Sequence, residues 1–241
     1  MPSALKVADF VLNDWGVWAS DSESRETSCM HSSPNLAEIP GFIPKLQQRR
    51  LSPLARAVFN AIDRCIKPGE NLPTVFSSAH GEVGKALAML ETIRDGEELS
   101  PTAFSLSVHN AIAGLYSIAY RNQQEITVIA PGGEAIGPAF AEALGMLQEG
   151  AAEVLVVLYD EPIAGFYPVA PFALNGEFTC ALAMRLALAG KGMPLRLSRV
   201  PKNGDAGEQP VQLPLFVDFL RRGDGGAAVD FWGRGWRWEK I

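Results

Sequence analysis

The stretch ITVIAPGGEAIGPAFAEALGMLQEGAAEVLVVLYDEP, residues 126–162, decides the fold. ITVI is a short β-branched run, read as a buried strand that enters a sharp turn at Pro131, Gly132 and Gly133. The alanine-rich segment behind it ends on Gly150, as helices do, and EVLVVLYD is apolar without alternation, the pattern of a strand covered on both faces. Glu134 falls in the first turn of the predicted helix, at the end that favours negative charge. Strand, helix and strand joined by short links call for parallel pairing and a right-handed crossover.

Working outward, residues 107–120 (SVHNAIAGLYSIAY) are apolar nearly all round apart from His109 and Asn110, which predicts a helix buried on several sides. PTVFSS reads as a short strand. It leads into GEVGKALAMLETIRDGE, where Val83, Leu87, Leu90 and Ile93 line one helical face. SPLARAVFNAIDRCIKPGE predicts another helix, with Ser52 as N-cap, Pro53 in the first turn, Leu54, Val58, Ile62 and Ile66 at helical spacing, and a stop at Pro68 and Gly69. The opening run LKVADFVLNDWGVW suits a first strand that turns at Asn13 to Gly16, and residues 20–44 form a surface excursion. Beyond Asp160, NGEFTCALAMRLALAGKG is read as a strand and VQLPLFVDFLRR as the final amphipathic helix. Trp236 and Trp238 share one side of any terminal strand.

A chain of 241 residues, 47% hydrophobic and 20% charged, can bury one sizeable core, and a single domain over residues 1–241 is expected. The net charge of −6 offers no basic field for a phosphate backbone or an anionic membrane, so nucleic acid is not an expected partner. No run of about 18 apolar residues predicts a membrane span, and MPSALKVADF lacks the charge and apolar run of a signal peptide, so a cytoplasmic location is expected. Cys29, Cys65 and Cys180 are odd in number and far apart, which favours reduced, mostly buried thiols.

Candidate chemistry is sparse. His80 stands at a strand–helix junction where an anion-binding or catalytic group can sit, although a capping or solvent-facing histidine is the commoner case. His109 reads best as a core histidine satisfied by a hydrogen bond, and His31 lies in the excursion. No HxH or HxxxH spacing supports a metal site, and no cofactor is expected. APGGEAIG matches neither common nucleotide-loop pattern, and Glu134 repels phosphate. Cys180, in FTCALAM, reads as a small hydrophobe, and Asp160 and Glu161 as acids leaving a strand into solvent. Neither His80 nor the terminal Trp232, Trp236 and Trp238 receives a role.

SPTAFSLSVHNAIAGLYSIAY and the stretch quoted at the outset resemble the N-terminal half of β-ketoacyl-acyl-carrier-protein synthases, with weaker similarity upstream through RRLSPLARAVFNAID and FSSAHGEVGKALAMLETI. The resemblance covers about two thirds of the chain. It implies an α/β, thiolase-like half with a mixed, mostly parallel sheet flanked by helices. In that family the turn after the strand holds a cysteine whose thiol is activated at a helix N-terminus. The matching position here is Gly133, and the second half that supplies a histidine pair is not expected within 241 residues.

The pattern is most similar to the short chain-length-factor-like subunits of aryl polyene and related type II polyketide pathways. The resemblance therefore implies a non-catalytic partner of a β-ketoacyl-ACP synthase in fatty acid or polyketide biosynthesis. Such a subunit forms a heterodimer with the catalytic synthase and shapes its acyl tunnel, with an acyl carrier protein as a further candidate partner. The implied interface and gate comprise Ala103, Phe104, Ser107, His109, Asn110, Ala113 and Gly114, with the helix within Ser107 to Tyr120 and the strand at Glu125 to Ile129 forming the heterodimer contact. Phe104 has a bland alternative as a core residue. The rival function is a small acyltransferase or thioesterase that recruits Cys180, His80 or His109.

Overall fold

The computed structural model describes residues 5–20, 38–131, 136–162, 178–200, 212–222, 228–231 and 235–241. Their strands are β1 (Leu5–Ala19), β2 (Thr74–Ser77), β3 (Ile126–Ile129), β4 (Val154–Asp160), β5 (Cys180–Ala187), β6 (Met193–Arg199), β7 (Ala228–Phe231) and β8 (Trp236–Lys240). They form one mixed sheet in the order β3-β2-β4-β5-β1-β6-β8-β7. Parallel pairing is confined to β2 with β3 and β2 with β4, so β2 separates the two strands of the deciding stretch. The remaining ladders are antiparallel, a larger share than the sequence reading allowed.

β4 explains the two-layer cover. Val154, Val156 and Leu158 join one core while Leu155, Val157 and Tyr159 join the other, which is why its sequence is apolar without alternation. Helices α2 (Pro53–Asp63) and α5 (Ala111–Tyr120) cover one face, and α6 (Gly137–Gln148) and α7 (Gln212–Arg221) the other. Phe140 of α6 lies 5.4 Å from Phe216 of α7 and 5.3 Å from Trp238 of β8, ring centre to ring centre. Trp236 closes on Gly137, where an added Cβ would sit 2.3 Å from the indole nitrogen. α1 (Lys45–Gln48), α3 (Val83–Arg94) and α4 (Pro101–Ser105) complete the helices among the described residues.

Several expectations are corrected. β1 does not turn at Asn13 to Gly16. It runs on to Ala19, with a register shift between Leu12 and Asp14 that bends the strand, so that its first part pairs with β6 and its last with β5. Gly16 is needed for close approach, because a Cβ there would stand 2.3 Å from the Ala61 carbonyl oxygen of α2. α2 ends at Asp63, before Pro68, and Ser52 caps it by accepting from the Ala55 amide at 2.9 Å. α5 begins at Ala111 because residues 107–110 form a separate turn. β3 is half-buried at the sheet edge, whereas α7 is the last described helix, as expected, and β8 is the terminal strand with Trp236 and Trp238. α3 buries no residue, so the face of Val83, Leu87, Leu90 and Ile93 lacks the cover expected of it.

Candidate functional site

β2 and β4 run parallel with Ser77 opposite Leu158, so two residues further on Asp160 comes level with Ala79. There its Oδ1 accepts from the Ser78 hydroxyl at 2.8 Å, the Ala79 amide at 3.0 Å and the His80 amide at 3.3 Å. Burial pushes the Asp160 carboxyl up, opposed by the Ser78 hydrogen bond. The Ser78 hydroxyl also accepts from the Gly81 amide at 2.7 Å, and the Ser78 carbonyl takes a hydrogen bond from His109 Nε2 at 2.9 Å. His109 is thus satisfied by a hydrogen bond, as expected, but it is half-buried in the turn before α5 and not in the core. Gly81, at φ +55°, leaves room for that ring, since a Cβ would lie 2.8 Å from His109 Cδ2.

Serine, histidine and an acid meet here without forming a hydrolytic relay. The Ser78 hydroxyl donates to the carboxylate directly, whereas a relay needs an imidazole between them. The group is a latch. It fixes the turn after β2 and with it the start of α3, and it corrects the expectation that Asp160 leaves its strand into solvent. Beside it, Glu82 accepts from the Ser52 hydroxyl at 2.6 Å and pairs with Lys85 at 3.3 Å. Lys85 also donates to the Leu106 carbonyl at 3.4 Å, which ties α2, α3 and the α4–α5 link together. Burial, reinforced by Glu82, pushes Glu161 up to about 7. The residues that sequence reasoning missed are Ser78 and Glu82, together with the bond from the expected cap Ser52 to Glu82. Ser78 and Asp160 lie 82 positions apart, and only the strand register unites them.

Of the expected interface residues, Phe104 is 62% exposed, which removes its reading as a core residue. Ala103, Ser107 and His109 are half-buried, and Asn110 and Gly114 are exposed. Ser107 turns its hydroxyl back to the Phe104 carbonyl at 2.9 Å. Ala113 is only 3% exposed and packs in the chain's own core, so the surface of α5 is presented by Gly114 and by Ile118, which is 60% exposed. Burial pushes the Cys65 and Cys180 thiols up to about 12, far from thiolate chemistry. Gly133, Glu134, His31, Cys29 and Trp232 lie outside the described residues. Among the described residues, no His, Cys, Asp and Glu group is placed to hold a metal, and no helix is long and apolar enough to cross a membrane.

Solved structures share this architecture. The complex of the ketosynthase ApeO with its chain length factor ApeC from Xenorhabdus doucetiae contains a chain similar to this one at TM-score 0.75 and 23% identity, covering 97% of this chain and 100% of that one. The ishigamide ketosynthase/chain length factor gives TM-score 0.56 at 14% identity over 80% of this chain and 66% of that one. The AntDE:AntF complex, described as a type II acyl-carrier protein with its ketosynthase, gives 0.53 at 12% over 75% and 63%. At these identities the likeness is one of fold. No curated protein sequence matches. The family model described as "Beta-ketoacyl synthase, N-terminal domain" matches residues 15–239, nearly the whole sheet and both of its helical layers, and the chain belongs to that family.

Proposed function

We propose that this chain is a non-catalytic, chain-length-factor-like partner of a catalytic β-ketoacyl-ACP synthase in fatty acid or polyketide biosynthesis of the aryl polyene kind. It acts in the cytoplasm as a single domain without a cofactor, and serves acyl chains carried on an acyl carrier protein. The observation that carries the reading is Phe104. A ring 62% exposed on a helix that buries nothing has no task in this chain's core and is available to a partner's acyl tunnel. The half-buried edge strand β3 and the exposed Gly114 and Ile118 of α5 supply the rest of the heterodimer face. Gly133, at the family's nucleophile position, carries no thiol.

Support also comes from the fold: the match to a chain of the ApeO–ApeC complex covers 97% of this chain and the whole of that one. The rival reading as an acyltransferase or thioesterase has little chemistry to work with: the Cys180 thiol is held far above neutral pH, His109 is engaged with a backbone carbonyl, and the Ser78 hydroxyl is held by Asp160. The test is co-expression with a synthase from the same gene neighbourhood, followed by mass analysis of the acyl products. Phe104→Ala lengthens the product and Ala103→Trp shortens it while the complex stays intact. A product distribution indifferent to both substitutions contradicts the gate.

A further inference from the structure

Helix α3 is apolar along one side, yet none of its residues is buried, and Leu90 and Ile93 stand 59% and 55% exposed one turn apart. Leu99, 38% exposed, extends the apolar surface beyond the helix. The cations of this arm are already engaged: Arg94 is held by Asp95 at 2.9 Å and Lys85 by Glu82 at 3.3 Å. Glu91, Glu97 and Glu98 are exposed, and among the described residues none of them has an ion-pair partner.

We infer that this ridge and its acidic tip dock a partner surface that is apolar at its centre and bordered by lysine and arginine, and, on the pairing-subunit reading above, that the surface belongs to the synthase. Removing Leu90, Ile93 and Leu99 from water supplies the drive, and the three carboxylates choose the partner by charge. A second copy of this chain would set like charges against each other, and an anionic membrane or an acidic protein would be repelled. The arm therefore adds to the face formed by α5 and β3 a contact that is selective for basic character.

Two double variants test this in the full chain against purified synthase: Leu90→Asp with Ile93→Asp, and Glu97→Lys with Glu98→Lys. Binding kinetics are measured at low and high salt, and thermal unfolding of each isolated chain is followed. The apolar variant is expected to weaken binding about a hundredfold with an unchanged melting temperature. The charge variant should slow association about tenfold at low salt and flatten its salt dependence. Wild-type kinetics in both variants overturn this inference alone. A lowered melting temperature of the isolated apolar variant overturns it by placing the ridge in the chain's own packing, and loss of self-association with normal synthase binding overturns it in favour of a second copy. A wild-type chain that binds no synthase overturns the pairing reading and this inference together.

Discussion

Helices α2 and α3 are 11 and 12 residues long, and both repeat apolar side chains at helical spacing, but α2 sinks Leu54, Val58, Phe59 and Ile62 to zero exposure while α3 buries nothing. α2 lies across β1, β4 and β5, so close that Gly16 must lack a side chain beneath it. α3 leaves the end of β2, anchored by the latch at Ser78 and Asp160 and by the Glu82–Lys85 pair, and among the described helices and strands α4 is the one that packs on it most. Periodicity reports that a helix has an apolar face. It does not report which molecule covers that face.

The contrast can be broken most sharply in the cores. Phe59→Ala is expected to cost about 3–5 kcal/mol, because α2 cannot collapse onto the vacated space against Tyr120, whose ring centre is 5.9 Å away. Ala113→Glu should be comparably damaging, since its carboxylate would enter the same core without a partner. Chemical denaturation of the isolated chain measures both, and a loss below about 1 kcal/mol for either would contradict the assignment of these helices to the core.

On the opposite face, Gly137→Ala forces a methyl group into the Trp236 indole, with an expected loss of about 1–3 kcal/mol. Blue-shifted tryptophan emission that persists in a fully stable variant would show that the indole yields without cost.

The joint between the two regions should respond to pH. Burial raises Glu161 from 4.5 to about 7, so the folded chain holds that proton more tightly than the unfolded chain does. Stability contributed by this group is present below about pH 4.5 and declines as pH rises to about 7. Glu161→Gln should remove that part of the decline, visible in melting temperatures taken from pH 4 to 8. Identical slopes in the two proteins would remove Glu161 from the account.

Smallest of all should be the effects on the arm. Leu90→Ala and Phe104→Ala, both at exposed positions, are expected to change the stability of the isolated chain by no more than about 0.5 kcal/mol. A larger loss would erase the distinction between the two regions.

What the sequence disclosed follows the same division. β4 was readable because burial on both faces leaves an unbroken apolar run, and the cap at Ser52 because its side chain acts on an amide three residues away. The bulge in β1 was not, since Asn and Gly mark turns as readily as they mark a bend or a close approach. The β5–β6 hairpin was half seen. Cys180 to Ala187 reads as a strand, whereas Met193 to Arg199 alternates too weakly, with Pro194 in the run, to declare itself. The latch was hidden because Ser78 and Asp160 look like ordinary polar ends of strands until the register sets them side by side. Phe104 was readable as a candidate, but its exposure had to come from three dimensions.

The central claim, that catalysis belongs to the partner and not to this chain, is tested most directly by intact-mass spectrometry of the co-purified pair after incubation with acyl-carrier-protein thioesters. The account predicts an acyl adduct on the synthase and an unmodified mass for this chain, because its thiols at Cys65 and Cys180 are buried and held at about 12 and position 133 is glycine. A stoichiometric acyl adduct on this chain would contradict it.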